Sequence, residues 1–205
     1  GKINSKERAM LITSLLYGLD KIANTCGHYD AYRQNVELTE DLILPCPEPN
    51  IDLKDNLCFN SDANELVKNI SADVVYIDPP YNSRQYSDAY HLVENIARWE
   101  KPDVHGVAKK MDRSSIKSKY CTRSAPKAFE DLISDIKAKY IVVSYNNMAK
   151  KGNDRSNAKI SDTQLLETLK TKGSVKVFSE QFKAFTTGKS EYLDNQERLF
   201  VCKCN

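Results

Sequence analysis

The sequence predicts an α/β fold with a mainly parallel sheet, a C-terminal antiparallel strand and an N-terminal helical segment. Two apolar runs rich in β-branched residues, 73–77 and 140–144, have the length and composition of parallel strands. Helical patterns alternate with these runs, which is typical of α/β proteins. Near the C-terminus, 174–180 and 197–203 have the pattern of an antiparallel strand pair. The chain has 205 residues, of which 40% are hydrophobic, and this is enough to form a buried core.

The N-terminal part is predicted to be helical and then extended. Apolar residues at helical spacing predict a helix over 5–25, with Ser5 as its cap, and a second short helix is predicted over 28–37. Three prolines within 45–52 exclude both a helix and a central strand, so we expect an extended linker there.

The main α/β portion is expected to cover 51–205, after a helical segment and proline-rich linker that cover 1–50. Local signals mark its elements, because Pro126 can start a helix and Gly173 can end one. The predicted elements, in chain order, are a short buried strand Leu57–Phe59, a helix 63–69 capped by Asp62, the strand 73–77, a helix 86–98, an irregular stretch 100–125, a helix 125–137, the strand 140–144, a polar loop 147–159, a helix 161–171 and the final strand pair.

Composition excludes several classes of protein. No apolar run approaches about 18 residues, so no membrane-spanning helix is predicted, and the first residues lack the apolar core of a signal peptide. The six cysteines form no CxxC pair, so we expect free thiols in a reducing cytoplasm. The three histidines have no metal-ligand spacing, and no metal site is predicted. The seven glycines lie too far apart for a GxGxxG or P-loop motif.

Charge is spread unevenly along the chain, although the net charge is only +2. Residues 30–65 hold nine acidic and two basic side chains, whereas 101–128 hold eight basic and two acidic ones. A basic stretch of this kind can contact a polyanion, and it can equally be a solvated surface loop.

The tetrapeptide Asp78-Pro79-Pro80-Tyr81 directly follows the predicted strand 73–77. Ligands of open α/β sheets bind beyond the carboxyl ends of the strands, so this is where an active site is expected. The prolines stiffen the loop and donate no N–H. Carbonyl and carboxylate acceptors beside an aromatic plane suit a planar group that carries an NH₂, so we interpret the tetrapeptide as a functional site rather than an incidental proline turn.

Several sequence strings resemble the Dam-like, alpha-order N6-adenine DNA methyltransferases, and especially their type IIS, FokI-like branch. The motif Asp78–Asn82 looks like the catalytic motif of amino-directed DNA methyltransferases. The resemblance extends from about residue 20 to residue 203. Its strings are ANTCGHYDAY over 23–32, YIDPPYNSRQY over 76–86, YIVVSYN over 140–146 and ERLFV over 197–201.

The resemblance implies a partial Rossmann-like fold, S-adenosylmethionine as the cofactor, and a flipped adenine in double-stranded DNA as the substrate. It implies that Asp78 and the Pro79 carbonyl accept hydrogen bonds from the adenine amine. Pro80 stiffens the site and Tyr81 stacks on the base. Asp78 would also face the cofactor. Such preorganised acceptors act by positioning and electrostatic stabilisation. The same resemblance implies a place in a restriction–modification system.

Other positions receive roles from the resemblance and keep a simpler alternative. Asp62 and Ala63 would line the adenine pocket of the cofactor, or Asp62 would be an ordinary helix cap. Tyr145 and Asn146 would shape the pocket of the target base, or mark the end of a strand. Contacts with the base or with phosphates are assigned to Asn82, Arg84, Lys109, Lys110, Arg113, Lys117, Lys119 and Arg123.

The glycine-rich FxGxG loop of the family is not found before or after the motif. We therefore expect the chain to be the C-terminal portion of a larger methyltransferase, or one half of a split enzyme, and to need the missing cofactor-binding segment or a second subunit. An incomplete sheet also leaves an edge uncovered, which favours a homodimer. Two further functions stay open. One is methylation of the cytosine N4 amine, and the other is a non-catalytic DNA-binding or assembly role.

Overall fold

A computed structural model describes residues 2–25, 29, 31–33, 35–37, 39–49, 51–53, 55–107, 109–146, 157–181 and 196–205. The helices and strands are α1 (Ser5–Ile22), α2 (Ala63–Leu66), β1 (Ala72–Ile77), α3 (Tyr86–Arg98), β2 (Val104–His105), β3 (Lys110–Met111), α4 (Ala125–Asp135), β4 (Ala138–Asn146), α5 (Asp162–Lys170), β5 (Gly173–Gln181) and β6 (Gln196–Cys204). The chain divides into a first unit, Gly1–Cys58 with Tyr86–Lys117, and a second unit, Phe59–Gln85 with Ser118–Asn205.

Helix α1 of the first unit begins with a capping box. The Asn4 side chain accepts hydrogen bonds from the Lys6 and Glu7 backbone N–H groups, both at 2.9 Å. In return, the Glu7 carboxylate accepts the Asn4 N–H at 2.8 Å. The predicted cap at Ser5 is therefore wrong by one residue, because the amide of Asn4 reaches the free N–H groups instead. The helix itself is confirmed and ends at Ile22 rather than 25.

The segment that follows α1 does not form the second helix predicted over 28–37. Of that range, 28, 30 and 34 lie outside the described residues. Thr25 and Tyr32 instead form an isolated antiparallel bridge, and the Arg33 N–H donates to the Asn24 carbonyl at 2.8 Å. Asn35 has a φ of 58°, which a helix does not accept. Antiparallel pairing between Thr25 and Tyr32 therefore takes the place of local helical hydrogen bonds.

Helix α3 has the predicted bounds, and a short hairpin follows it in the first unit. In the hairpin, β2 pairs with β3 in antiparallel fashion, and Gly106 at the turn has a φ of 71°. The stretch 100–125 is therefore less irregular than predicted. One-turn 3₁₀ helices at Ser114–Ile116 and Lys119–Cys121 complete it.

The second unit contains a four-stranded sheet in the order β1-β4-β6-β5. Strand β4 is parallel to β1, and β6 is antiparallel to both β4 and β5. Three strands thus point the same way while the C-terminal strand is inserted in the opposite direction, which confirms the predicted fold class.

The core of this unit lies between α4, α5 and one face of the sheet. Its fully buried side chains include Phe129 and Ile133 from α4, Leu165 from α5, Ile141 from β4 and Phe200 from β6. Burial alternates along β4, as expected for a strand with one covered face. Helix α5 starts at Asp162 with Ser161 as its cap.

Two predicted strands differ from what their apolar sequences indicate. Leu57–Phe59 is not a strand, and Leu57 is 79% exposed, because no described strand pairs with this segment. Strand β1 forms as predicted but stays exposed, with Tyr76 at 61% exposure, because it is an edge strand paired only with β4 among the described strands.

Two further findings concern composition. No disulfide joins the cysteines that the structure describes, which are Cys46, Cys58, Cys121, Cys202 and Cys204, and Cys26 lies outside the described residues. Among the described residues, no helix has both the length and the apolar character needed to cross a membrane.

Candidate active site at the carboxyl edge of the sheet

The motif Asp78–Tyr81 lies at the carboxyl end of β1, as predicted. Ile77, the last residue of β1, is opposite Val143 in the parallel pair. Strand β4 continues from there to Asn146, so the ends of the two strands meet at the same edge of the sheet. The structure therefore brings the motif together with Tyr145 and Asn146 within the second unit.

Asp78 is free to accept hydrogen bonds from a ligand. The residue is exposed, and its carboxylate makes no hydrogen bond with any described residue. Pro79 behind it is buried and Pro80 is half-buried, so the backbone that carries the carboxylate is fixed by packing. The motif is therefore a rigid loop whose carboxylate is exposed and accepts no hydrogen bond from the described residues.

Tyr81 is held at its backbone and partly open at its ring. Its carbonyl oxygen accepts the Lys159 N–H at 2.7 Å and the Tyr145 hydroxyl at 3.2 Å. The residue is 37% exposed. Burial and the negative charge of Glu197 raise the pKa of the Tyr81 phenol above its ordinary value, so the ring is neutral at physiological pH. A neutral, partly exposed aromatic ring is suited to stacking.

Tyr145 is almost fully buried, at 1% exposure, beside the motif. Its ring meets the Tyr81 ring edge-on, with centroids 6.3 Å apart and planes at 78°. Its hydroxyl accepts the Ile160 N–H at 3.1 Å while donating to Tyr81. Burial raises the pKa of Tyr145 to about 12, so the hydroxyl keeps its proton. The side chain supports the motif from inside the protein.

Asn146 is also buried and is joined to β6. Its side-chain amide donates to the Glu197 carboxylate at 2.8 Å, and its backbone carbonyl accepts from the Arg198 guanidinium at 2.9 Å. Arg198 makes an ion pair with Asp162 and lies over the Phe200 ring, 5.2 Å from its centroid. Sequence reasoning assigned no role to Arg198. The available signal was an arginine that directly precedes the apolar run Leu199–Val201.

The turn after the motif is held by hydrogen bonds of Asn82, Arg84 and Gln85. The Asn82 side chain accepts the Arg84 N–H at 2.9 Å, and the Arg84 carbonyl accepts from the Cys121 thiol at 3.3 Å. The Gln85 amide is buried, accepts the Ser118 N–H at 2.7 Å and donates to the Ser118 carbonyl at 3.1 Å. Of these side chains, that of Arg84 is exposed at the surface. The proposed contacts of Asn82 and Arg84 with a base or phosphate stay predictions.

Asp62 is the N-cap of α2, so the cap interpretation holds. One carboxylate oxygen accepts the Asn64 N–H at 2.8 Å, and Ala63 next to it is exposed. Asn64 is anchored in turn, because its side chain donates to the Ala128 carbonyl at 2.8 Å and accepts the Tyr120 hydroxyl at 2.9 Å. Burial, with a contribution from the charge of Asp62, raises the pKa of Tyr120. The shared cofactor role of Asp62 and Asp78 stays a prediction.

The basic residues assigned to DNA fall in both units. The first unit carries Lys109, Lys110, Arg113 and Lys117, and the second carries Lys119 and Arg123. Arg113 is largely buried and its guanidinium lies 3.4 Å from the Asp88 carboxylate, so an internal anion already balances its charge. The side chains of Lys109, Lys117, Lys119 and Arg123 are exposed, whereas Lys110 is half-buried.

Other features of the described residues lie away from the motif. A cleft of about 500 Å³ lies between α4 and α5, and its lining includes Lys127, Glu130 and Asp131 but no residue of the motif. Lys127 forms ion pairs with both of these acidic residues. No cluster of three His, Cys, Asp or Glu side chains that could hold a metal ion is present in the described part of the chain.

The mixed α/β fold is consistent with that of the S-adenosylmethionine-dependent methyltransferases. The model of the D12 class N6 adenine-specific DNA methyltransferase family matches residues 2–155, so the chain belongs to this family. No solved structure matches the chain.

Curated relatives agree with the family. The chain is 43% identical over 148 residues to the modification methylase StsI of Streptococcus sanguinis, covering 71% of this chain and 23% of that protein. It is 32% identical over 205 residues to the modification methylase LlaI of Lactococcus lactis subsp. lactis, covering 97% of this chain and 32% of that protein. It is 34% identical over 148 residues to the type II methyltransferase M.FokI of Planomicrobium okeanokoites, covering 71% of this chain and 23% of that protein.

The predicted resemblance to the FokI-like branch is thereby confirmed. The chain spans about a quarter to a third of the length of these three relatives.

Proposed function

We propose that the full-length protein transfers a methyl group from S-adenosylmethionine to the N6 amine of adenine in double-stranded DNA, as the modification enzyme of a restriction–modification system. The observation that carries this proposal is the exposed, uncommitted carboxylate of Asp78 in a rigid motif at the sheet edge, within the stretch that the family model matches. The relatives named as modification methylases support the same assignment.

The reaction needs the adenine amine to become a better nucleophile, because its lone pair is delocalised into the ring. The Asp78 carboxylate and the Pro79 carbonyl each accept a hydrogen bond from one N–H of this amine. These two hydrogen bonds favour a tetrahedral nitrogen with a localised lone pair. That nitrogen would form the new N–CH₃ bond while the S–CH₃ bond of the sulfonium breaks. The donor would leave as the neutral thioether S-adenosylhomocysteine, and the nitrogen would then lose one proton to Asp78 or to water. Tyr81 stacks on the flipped base and fixes the direction of attack.

The residues present fit part of the cofactor. S-Adenosylmethionine supplies an electrophilic methyl group, and its adenosine part needs polar acceptors and an open surface. Asp62 has one carboxylate oxygen without a partner among the described residues, and Ala63 beside it is exposed. With Asp78, these residues would hold part of the cofactor. No glycine-rich loop is present in the sequence to hold the methionine part.

The remainder of the cofactor site belongs, in this proposal, to a segment outside these 205 residues or to a second subunit. Strand β1 has an open edge among the described strands, and Tyr76 on this strand is exposed. Such an edge pairs readily with another strand. A homodimer formed through the same edge is the alternative, and analytical ultracentrifugation of the 205-residue chain separates the two, since only the homodimer predicts self-association.

The exposed lysines Lys109, Lys117 and Lys119 supply the attraction to DNA phosphates in this proposal, and they would contribute affinity rather than sequence reading. Action on cellular DNA places the protein in the cytoplasm, in keeping with its free thiols.

The test is methyl transfer by the full-length protein to unmethylated plasmid DNA, using tritiated S-adenosylmethionine and mass spectrometry of the nucleosides. We expect N6-methyl-2′-deoxyadenosine as the product. Asp78→Asn should lower the methylation rate constant by at least about 100-fold while DNA binding persists. Asp73→Asn is the matched control, because Asp73 is an exposed carboxylate on strand β1, which precedes the motif, and it pairs with Lys139.

Each alternative has its own outcome. N4-methyl-2′-deoxycytidine as the product would establish a cytosine enzyme, and no product with either base would leave a non-catalytic role. Full activity of Asp78→Asn would refute the assigned chemistry.

A further inference from the structure

We propose that Tyr145 is a positioning residue that sets the orientation of Tyr81 for stacking on the target base, an inference that rests on the function proposed above. Tyr145 then acts through Tyr81 and does not touch the DNA. This assigns to a buried side chain of β4 a role in the chemical step.

The Tyr145 hydroxyl connects the motif to a second segment of the chain. It donates to the Tyr81 carbonyl oxygen at 3.2 Å and accepts the Ile160 N–H at 3.1 Å. The neighbouring Lys159 N–H donates to the same Tyr81 carbonyl at 2.7 Å. Tyr81 is therefore held by a side chain of one strand and by the backbone that leads into α5. Two donors on one carbonyl fix the plane of the peptide that ends the motif.

The ring contact fixes the side chain as well as the backbone. The edge-on arrangement at 6.3 Å and 78° is a preferred geometry for two aromatic rings. Tyr145 thus restrains the rotation of the Tyr81 ring, while part of Tyr81 stays accessible at 37% exposure. A stacking plane that is already restrained holds the flipped base in line for attack, so less entropy is lost on the way to the transition state.

A direct contact of Tyr145 with substrate does not fit its surroundings. The residue is 1% exposed, and its hydroxyl already uses its proton and one lone pair inside the protein. Because burial raises its pKa to about 12, the donor to Tyr81 is present throughout the physiological pH range.

The test measures single-turnover methylation by the full-length protein on DNA whose methylated site has been mapped with the wild type. Tyr145→Phe keeps the ring and removes only the hydroxyl. Loss of one positioning hydrogen bond should lower the rate constant by roughly three- to tenfold. The dissociation constant for the mapped duplex should change by less than about twofold, because Tyr145 makes no DNA contact. At saturating enzyme all of the DNA is bound by folded protein, so a fraction of unfolded protein does not change the measured rate constant.

The decisive measurement is a double-mutant cycle with Tyr81→Leu. If Tyr145 acts through the Tyr81 ring, Tyr145→Phe should have little further effect once that ring is gone, so the two effects on the rate constant do not multiply. A role in general stability, or a direct contact with the base, predicts effects that multiply. Tyr140→Phe is the control, since it removes an exposed tyrosine hydroxyl from the same strand and should leave the rate constant unchanged.

The outcomes separate this inference from the proposed function. An inactive wild type would refute the function. An active wild type with full activity in Tyr145→Phe, or with multiplying effects in the cycle, would refute the positioning role alone.

Discussion

The Arg198 guanidinium and the Asn146 carbonyl oxygen are joined by a 2.9 Å hydrogen bond that ties the end of β4 to β6. Arg198 is only 7% exposed, and it also reaches Asp162 at the start of α5. One buried cation therefore holds a strand end and a helix N-terminus together, beside the motif that ends β1. The carboxyl edge of the sheet is organised by this arginine as well as by apolar packing.

Arg198→Met should destabilise the protein by about 2–4 kcal/mol, since it removes a buried charged donor from two acceptors. The urea unfolding midpoint at constant m-value measures the change. Lys139→Met is the control, because its ion pair with Asp73 is exposed and worth about 0–1 kcal/mol. Equal losses in both variants would show that the Arg198 network carries no special stability.

Alkaline pH should weaken the fold through Tyr145. Its pKa is raised from the ordinary 10.0 to about 12, mainly because the phenol is buried. The folded state therefore favours the protonated phenol. The resulting stability is present below pH 10 and is lost as the pH rises from about 10 to about 12, by at most about 2–3 kcal/mol. Urea unfolding at several pH values should show that the free energy of unfolding falls more steeply with rising pH for the wild type than for Tyr145→Phe. Identical slopes would contradict the raised pKa.

Gly173 should not tolerate a side chain. Gly173 is the first residue of β5, and a Cβ atom on it would lie 1.9 Å from the carbonyl oxygen of Lys203 in β6. Gly173→Ala should therefore cost about 1–3 kcal/mol or more, because the backbones of two paired strands must separate. Ser174→Ala, at an exposed neighbouring position, should change stability by less than about 0.5 kcal/mol. A thermal melt of both variants distinguishes a steric effect from a general sensitivity of this strand.

Most elements of the fold could be predicted from local patterns, because their stabilising signals are local. Helix α3 has the predicted bounds, and β4 extends the predicted apolar run at both ends. The prediction failed at Leu57–Phe59, where an apolar pattern has no described strand to pair with. A strand is stabilised by its neighbour, which a run of three residues does not reveal. The cap of α1 was misplaced because Asn4 and Ser5 are both good capping residues.

The candidate site was predictable where it is continuous in sequence. Asp78–Tyr81 follows β1, and the shared edge with Asn146 follows from the parallel pairing. The contact between Tyr145 and Tyr81 was not predictable, because a side chain bonds a carbonyl 64 residues away. The same holds for Arg198, whose partners lie on β4 and α5. Long-range polar contacts depend on packing, which local patterns do not contain.

Salt dependence should distinguish the basic residues that contact DNA from those paired within the protein. Lys119 is exposed in the second unit, whereas the Arg113 guanidinium lies 3.4 Å from the Asp88 carboxylate. Each phosphate contact contributes about −0.9 to the slope of log K against log salt concentration. Lys119→Ala in the full-length protein should therefore reduce the slope by about 0.9, and Arg113→Ala should reduce it by clearly less. Fluorescence anisotropy of a labelled duplex across a sodium chloride series measures both. The same reduction for any duplex sequence would identify Lys119 as a phosphate contact, and an unchanged slope would remove it from the DNA-binding surface.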